Sequence, residues 1–403
     1  MAVPTNAETS AIFAGVKNVT IDQTAALQHV MRPPHTAGVI SSKGIEEGRM
    51  PSPPKLSTAA SYHLDVAGFG QAVHAAIKDI VAGYCLEMRQ NGTTIYTLEW
   101  NWAKYPQDGG EGWNPGRQMH IASCSKLMTG IAMTKLLNQH QIPYSTPIAK
   151  YLPAYWVKGP NINLITFANL MTHTSGFNSG TSSSDYEFMK AQVAQGVNDH
   201  GHYHYQNMNF GLCRILISVL NGNIAVGQTW PGSQNDTFWD YVTIQSYSNY
   251  VHANVFAPSG VTAPSLTHPD TDALAYNFPV SGHGWNSGDL SSVSGGAGWH
   301  MSVDEMLNVM GTFRRKGTIM STAQAQTLLD DMFGIDVKMA TQLGTLYNKN
   351  GSWGDGSGQV EQSLAYFLPQ NMELVLLTNS PVGNPAQFFR DKITNLYIAN
   401  IKP

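Results

Sequence analysis

The chain has 403 residues, 42% of them apolar and only 12% charged, with a formal net charge of −4. That length buries a sizeable core, as one large α/β body or as two lobes. The charges form no long runs of one sign, which excludes an electrostatic footprint for nucleic acid or an anionic membrane.

In chain order, residues 1 to about 60 are irregular and carry Pro33, Pro34, Pro51, Pro53 and Pro54, the pattern of an extended arm. The opening residues lack the basic start and apolar core of a secretory signal, so the expectation is a cytoplasmic protein or one whose leader has been removed. From Val66 the apolar spacing turns helical through Ala75, Ile77 and Ile80. YCLEMRQ and TTIYTLEW then flank Asn91-Gly92, a strong hairpin signal because both residues tolerate positive φ.

HIASCSKLMTGIAMTKLLNQH repeats apolar residues at i, i+4 (Leu127 and Ile131; Met128, Ala132 and Leu136) and predicts a buried helix. Residues from about 144 to 290 mix short helical stretches with Gly, Ser and Asn loops of the kind that carry binding function. SLAYFLP and MELVLLT flank Pro369-Gln370-Asn371 as a second hairpin, followed by an amphipathic helix through Phe388, Phe389, Ile393, Leu396 and Ile401. Hairpins near both chain ends predict one antiparallel sheet flanked by helices, an α/β (α+β) fold. The expected division is an arm over 1–60 and one main domain over 61–403. Within that domain we expect a sheet lobe over about 61–120 and 295–403, and a mostly helical lobe over about 121–294. No apolar run approaches the roughly 20 residues of a membrane span. Cys85, Cys124 and Cys213 are an odd number and too few to staple this chain.

Ser123-Cys124-Ser125-Lys126 opens the buried helix, and a spacing of three puts Ser123 and Lys126 on one helix face. An unassisted serine is a poor nucleophile; an amine whose pKa is lowered by apolar surroundings gives it a proton acceptor. Alone, Ser-x-x-Lys is a weak signal. Its companions come in order: Tyr205-Gln206-Asn207 ahead of the apolar helix FGLCRILISVL, then Lys349-Asn350-Gly351 ahead of two strand-like segments. A tyrosine to carry a proton, an asparagine to hold a substrate amide and a lysine beside a glycine on an edge strand suit acyl transfer.

This set resembles the serine β-lactamase and penicillin-binding-protein superfamily, nearest to class C β-lactamases, D-alanyl carboxypeptidases and family VIII esterases. Pro147-Ile148-Ala149-Lys150-Tyr151-Leu152-Pro153, Leu170-Met171-Thr172-His173-Thr174-Ser175-Gly176, residues 295–306 and Leu376-Leu377-Thr378-Asn379 extend the resemblance over most of the chain. It implies a β-lactamase/transpeptidase-like fold in which Ser123 is acylated, Lys126 helps deprotonate it, and Tyr205 is general base and acid. Asn207 would bond the acyl-side amide, and Lys349 would support the tyrosine or a substrate carboxylate. The backbone N–H groups of Ser123 and Ser352 would form the oxyanion hole, with Asn350, Gly351 and Trp353 at the substrate. Asn350 replaces the threonine of the usual Lys-Thr-Gly, which points away from a β-lactam or D-Ala-D-Ala carboxylate.

The expected partner is a small molecule or short linear peptide, non-ribosomal ones such as linearised microcystin among them, hydrolysed at an amide bond. A carboxylesterase or β-lactamase of the same family, an acyltransferase, and a non-catalytic binding protein on the same fold are the alternatives. No cofactor is implied. His200, His202 and His204 alternate as ligands on a strand do, but no acid or cysteine set accompanies them, so no metal site is expected. His173 invites a Ser-His-Asp reading, yet the chain has no Gly-x-Ser-x-Gly, and a structural histidine is expected.

Overall fold

The computed structural model describes residues 13–19, 62–179, 183–230, 234–383 and 387–403. The arm expected over 1–60 lies outside the described residues except for 13–19. In chain order the first elements are β1 (His63–Leu64), α1 (Val66–Ile77), β2 (Gly83–Gln90), β3 (Thr93–Lys104), β4 (Glu111–Gly112), β5 (Met119–His120) and α2 (Ser125–Gln139). Then come α3 (Phe167–Met171), α4 (Tyr186–Gln195), α5 (Asn207–Leu220), α6 (Asn235–Val251), β6 (His300–Met301), α7 (Val303–Gly311) and α8 (Thr322–Asp330). The chain closes with β7 (Val337–Thr341), β8 (Gly344–Gly354), β9 (Val360–Leu368), β10 (Met372–Thr378), α9 (Gln387–Ala399) and β11 (Ile401–Lys402). The described residues form two compact units, and the division falls inside α2, between Leu127 and Met128.

The larger unit takes residues 62–127, 258–290 and 297–403 and holds a seven-stranded antiparallel sheet in the order β4-β3-β2-β10-β9-β8-β7. Both predicted hairpins are present. At the β2–β3 turn Asn91 and Gly92 have φ of 52° and 85°, the pair of positive values that a two-residue turn of this twist demands. Register then aligns apolar residues of period two: Leu374 faces Met88 and Tyr366, and Leu376 faces Leu86 and Leu364. This face forms a core with Phe69, Val73 and Ile77 of α1 and Phe389, Ile393 and Tyr397 of α9. On the other face α7 packs along β10 and β2. Asp65 starts α1 by accepting the Gly68 N–H at 2.9 Å.

Two terminal details differ from the sequence pattern. Helix α1 stops at Ile77, because the chain must turn to enter β2, and Ile80 is left 40% exposed. Ile401 continues the apolar period of α9 but sits in β11, where Ile401 pairs with Leu64 and Lys402 with His63. Strand pairing with a segment over 300 residues away ends the helix there; periodicity alone carries no record of such a partner.

The smaller unit takes residues 13–19, 128–257 and 291–296 among those described, and its regular elements are helices. Its centre is α5, whose residues 207–218 are all buried, packed against α3, α4 and α6. Arg214 on this helix is fully buried and donates to Asp240 Oδ1 at 2.7 Å and to the Ser292 carbonyl at 2.8 Å. Removing one partner of a buried ion pair costs about 3–5 kcal/mol. Arg214→Met is therefore expected to lower the thermal midpoint sharply, whereas the double variant Arg214→Met, Asp240→Leu recovers much of the loss. Phe13 packs edge-on against Phe238 at 5.3 Å between centroids, which ties the described part of the arm to this unit.

Candidate active site

In the larger unit the nucleophile segment begins on β5, which pairs with β6, and turns sharply at Ala122. Ala122 has φ of +47°, a left-handed conformation that costs a residue with a Cβ of the order of 1 kcal/mol and persists only where surroundings enforce it. A single 3₁₀ turn, Ala122–Cys124, then leads into α2. Ser123 stays partly exposed, while Lys126 one turn on is fully buried with its Nζ 2.9 Å from Ser123 Oγ. Burial first, and the Lys349 charge second, hold the Lys126 amine well below the usual lysine value. That shift favours the neutral amine, the form able to take the proton of the serine hydroxyl beside it. Burial also pushes the adjacent Cys124 thiol up to about 12, which leaves it inert as a nucleophile.

Strand β8 lies against this turn. β7 pairs with it only as far as Asn348, and beside Lys349 and Gly351 the nucleophile turn stands in place of a further strand. Lys349 is buried, its carbonyl accepts from Cys124 Sγ at 3.4 Å, and its Nζ donates to Asp336 Oδ1 at 2.6 Å. Asp336 Oδ2 accepts the Asn350 N–H at 3.0 Å. A Cβ on Gly351 would stand 2.7 Å from the Ile121 carbonyl and 2.8 Å from the Ser123 nitrogen, so only glycine lets β8 approach the nucleophile this closely. Ser363 on β9 secures the same turn by donating to the Ile121 carbonyl at 2.6 Å.

Behind the nucleophile is a buried polar group that sequence reasoning missed. Gly298 N–H donates to His120 Nε2 at 3.1 Å, which leaves the ring proton on Nδ1, facing Glu361 Oε2 at 3.2 Å. Burial drives His120 well below and Glu361 well above their ordinary values, which favours the neutral form of both partners. His300 stands 5.3 Å from His120, and Trp353, only 7% exposed, sets its ring edge-on to His120 at 5.3 Å. Burial, and then His268, hold His300 down to about 3.

The buried side chain of Asp272, in the same unit, has no hydrogen-bond partner among the described residues, and burial pushes it up to about 8. Opposite pH dependences follow. His300, depressed in the fold, contributes stability in full above about 6.5 that is lost as pH falls towards 3. Asp272, raised from 3.8 to about 8, contributes stability in full below 3.8 that is lost as pH rises through 8. Asp272→Asn is therefore expected to match wild type near pH 4 and to melt several degrees higher at pH 8. Thermal midpoints measured across that range check the sign.

The smaller unit carries the other predicted residues. Tyr205 and Asn207 flank the start of α5, with Asn207 buried. The His173 ring stacks on Tyr205 at 4.4 Å, and its Nδ1 accepts the Gln206 N–H at 3.2 Å and Asn209 Nδ2 at 3.1 Å. His173 itself has φ of +57°. It supports the tyrosine segment from beneath. Asp199 binds His202 Nδ1 at 2.7 Å and also His204, so these rings are held by a carboxylate.

Residues 75–230 match the family model described as Beta-lactamase, a stretch that holds Ser123, Lys126, Tyr205 and Asn207. The resemblance is to the β-lactamase family of serine hydrolases. A Bacillus subtilis (strain 168) protein named as penicillin-binding protein PbpX is 24% identical over 204 residues, 48% of this chain and 45% of that protein. Teichoic acid D-alanine hydrolase of Staphylococcus aureus is 31% identical over 110 residues, 26% of each. The chain thus spans less than half the length of these curated relatives. The solved D-amino acid amidase of Ochrobactrum anthropi SV3, in complex with D-phenylalanine, superposes with a TM-score of 0.62 at 15% identity, covering 81% of this chain and 98% of that one. The β-lactamase/transpeptidase-like fold, with its antiparallel sheet flanked by helices, is shared.

Proposed function

We propose that the chain is a serine hydrolase that forms an acyl-enzyme on Ser123 and cleaves an amide bond of a short peptide or amino-acid amide. The observation that carries this is the fully buried Lys126 amine 2.9 Å from Ser123 Oγ, with β8 pressed against the nucleophile's N–H. In acylation the Ser123 proton passes to the neutral Lys126 amine as Oγ attacks the substrate carbonyl carbon. The oxyanion is held by the N–H groups of Ser123 and Ser352. Tyr205 is assigned the proton that the leaving nitrogen takes as the C–N bond breaks. Water then attacks the Ser123 ester and gives its proton to restore Tyr205, and as the acid is released the proton held on Lys126 returns to Ser123 Oγ.

Asn207 is assigned to the acyl-side amide, Asn350 to the departing side, and Lys349 to fixing the field at the nucleophile. Trp353, packed on His120, is assigned to holding the nucleophile turn rather than to the acyl group. Relatives named for D-alanine hydrolysis and as a D-amino acid amidase support an amide or ester adjoining an amino acid.

The test is intact-protein mass and turnover with a fluorophosphonate, a nitrophenyl ester, a penicillin and short peptide amides, for wild type and Ser123→Ala. A Ser123-dependent adduct with peptide-amide turnover is the expected result. Folded protein that yields neither adduct nor turnover with any of them would falsify the reading.

A further inference from the structure

Asp336 has no part in the chemistry above, yet it binds the third motif twice, and that changes what Lys349 can offer a substrate. Strand β7 pairs with β8 so that Val337 faces Asn348, and Asp336, one residue earlier, comes opposite Lys349. Its two carboxylate oxygens take the Lys349 ammonium at 2.6 Å and the Asn350 N–H at 3.0 Å. The two charged side chains are 1% and 11% exposed, so water screens them little. We propose that Asp336 makes this end of the site select substrates whose departing part carries no free carboxylate: esters, amides and carboxamide-capped peptides rather than peptides ending in a free acid.

The inference rests on Ser123 being the nucleophile. Lys349 sits directly on the nucleophile turn through its carbonyl and Cys124, so a leaving group passing along β8 meets a neutral ion pair rather than an open cation. An incoming carboxylate must either displace Asp336 or lie beside it, and two carboxylates at such a site repel in poorly screened surroundings. An uncharged carboxamide meets no such penalty. Asn350 complements it, because its side chain offers both a donor and an acceptor, and its Oδ1 is buried with no partner among the described residues. Specificity here comes from a repulsive element as much as an attractive one.

The experiment compares N-acyl dipeptides that differ only at the C-terminus, free acid against carboxamide, with a neutral nitrophenyl ester reporting Ser123. Wild type is expected to favour the carboxamide by about 100-fold in kcat/KM. In Asp336→Asn one amide oxygen cannot serve both Lys349 and the Asn350 N–H, so the ammonium becomes available and the preference falls at least tenfold, mainly through a lower KM for the acid. Asp336→Glu, which keeps the charge, retains the preference. A general loss of fold lowers both substrates together and leaves the ratio intact, so the ratio is the readout.

Equal rates on acid and carboxamide in wild type, or an unchanged ratio in Asp336→Asn, overturn the inference while ester turnover leaves the hydrolase reading standing. Absence of Ser123-dependent turnover with every substrate brings down both.

Discussion

Lys126→Met is expected to lower kcat/KM by about 10⁴-fold or more while leaving the thermal midpoint unchanged or raised. The side chain is fully buried and its Nζ lies 2.9 Å from Ser123 Oγ, so methionine fills the same space and removes only the proton acceptor. A buried amine is costly to hold, and its loss to an isosteric apolar chain does not weaken the core. Lys126→Arg separates a base from a mere cation: a guanidinium stays protonated and cannot take the serine proton, so that variant should be equally inactive. In wild type the amine must be neutral to act, and burial and the Lys349 charge hold it below the usual lysine value. Activity should fall as pH drops through that depressed value. Turnover of a nitrophenyl ester across pH, with a melting curve for each variant, checks both halves.

Gly351→Ala should cost about 1–3 kcal/mol of stability and at least about 100-fold in kcat. A new Cβ would stand 2.6 Å from Ser363 Oγ, 2.7 Å from the Ile121 carbonyl and 2.8 Å from the Ser123 nitrogen. Two of those atoms are backbone and cannot swing aside, so β8 must retreat from the nucleophile turn and carry the Ser352 N–H with it. Gly356→Ala is the control. Gly356 has φ of +84° with open space around it, so alanine there is strained but displaces nothing at Ser123. Both variants should lose stability in a melting experiment, and only Gly351→Ala should lose kcat.

Much of the catalytic arrangement can be read from local spacing. Ser123 and Lys126 are one helical turn apart wherever that helix packs, and Asn91-Gly92 between alternating runs specifies a hairpin before any partner is known. Both hairpins, the buried helix and the antiparallel sheet with helices on its faces follow from such patterns. The limits are equally local. The apolar period of α9 runs on through Ile401, and only pairing with Leu64 turns that residue into a strand.

Asp336 lies thirteen positions before Lys349, and nothing in its neighbours marks it as a partner of the third motif; the β7–β8 register does. A register count across the turn at Gln342-Leu343 would have found it. Glu361 and His120 are 241 residues apart, and a pair at that separation leaves no trace in composition or period. The sequence by itself determined the Ser123–Lys126 pair and the two hairpins, because each depends on residues within a turn or a strand of one another. Only the tertiary structure decided the burial that depresses the Lys126 amine, the Asp336 carboxylate that occupies Lys349 and the His120–Glu361 bond behind the nucleophile. Desolvation and long-range pairing are properties of the packed chain.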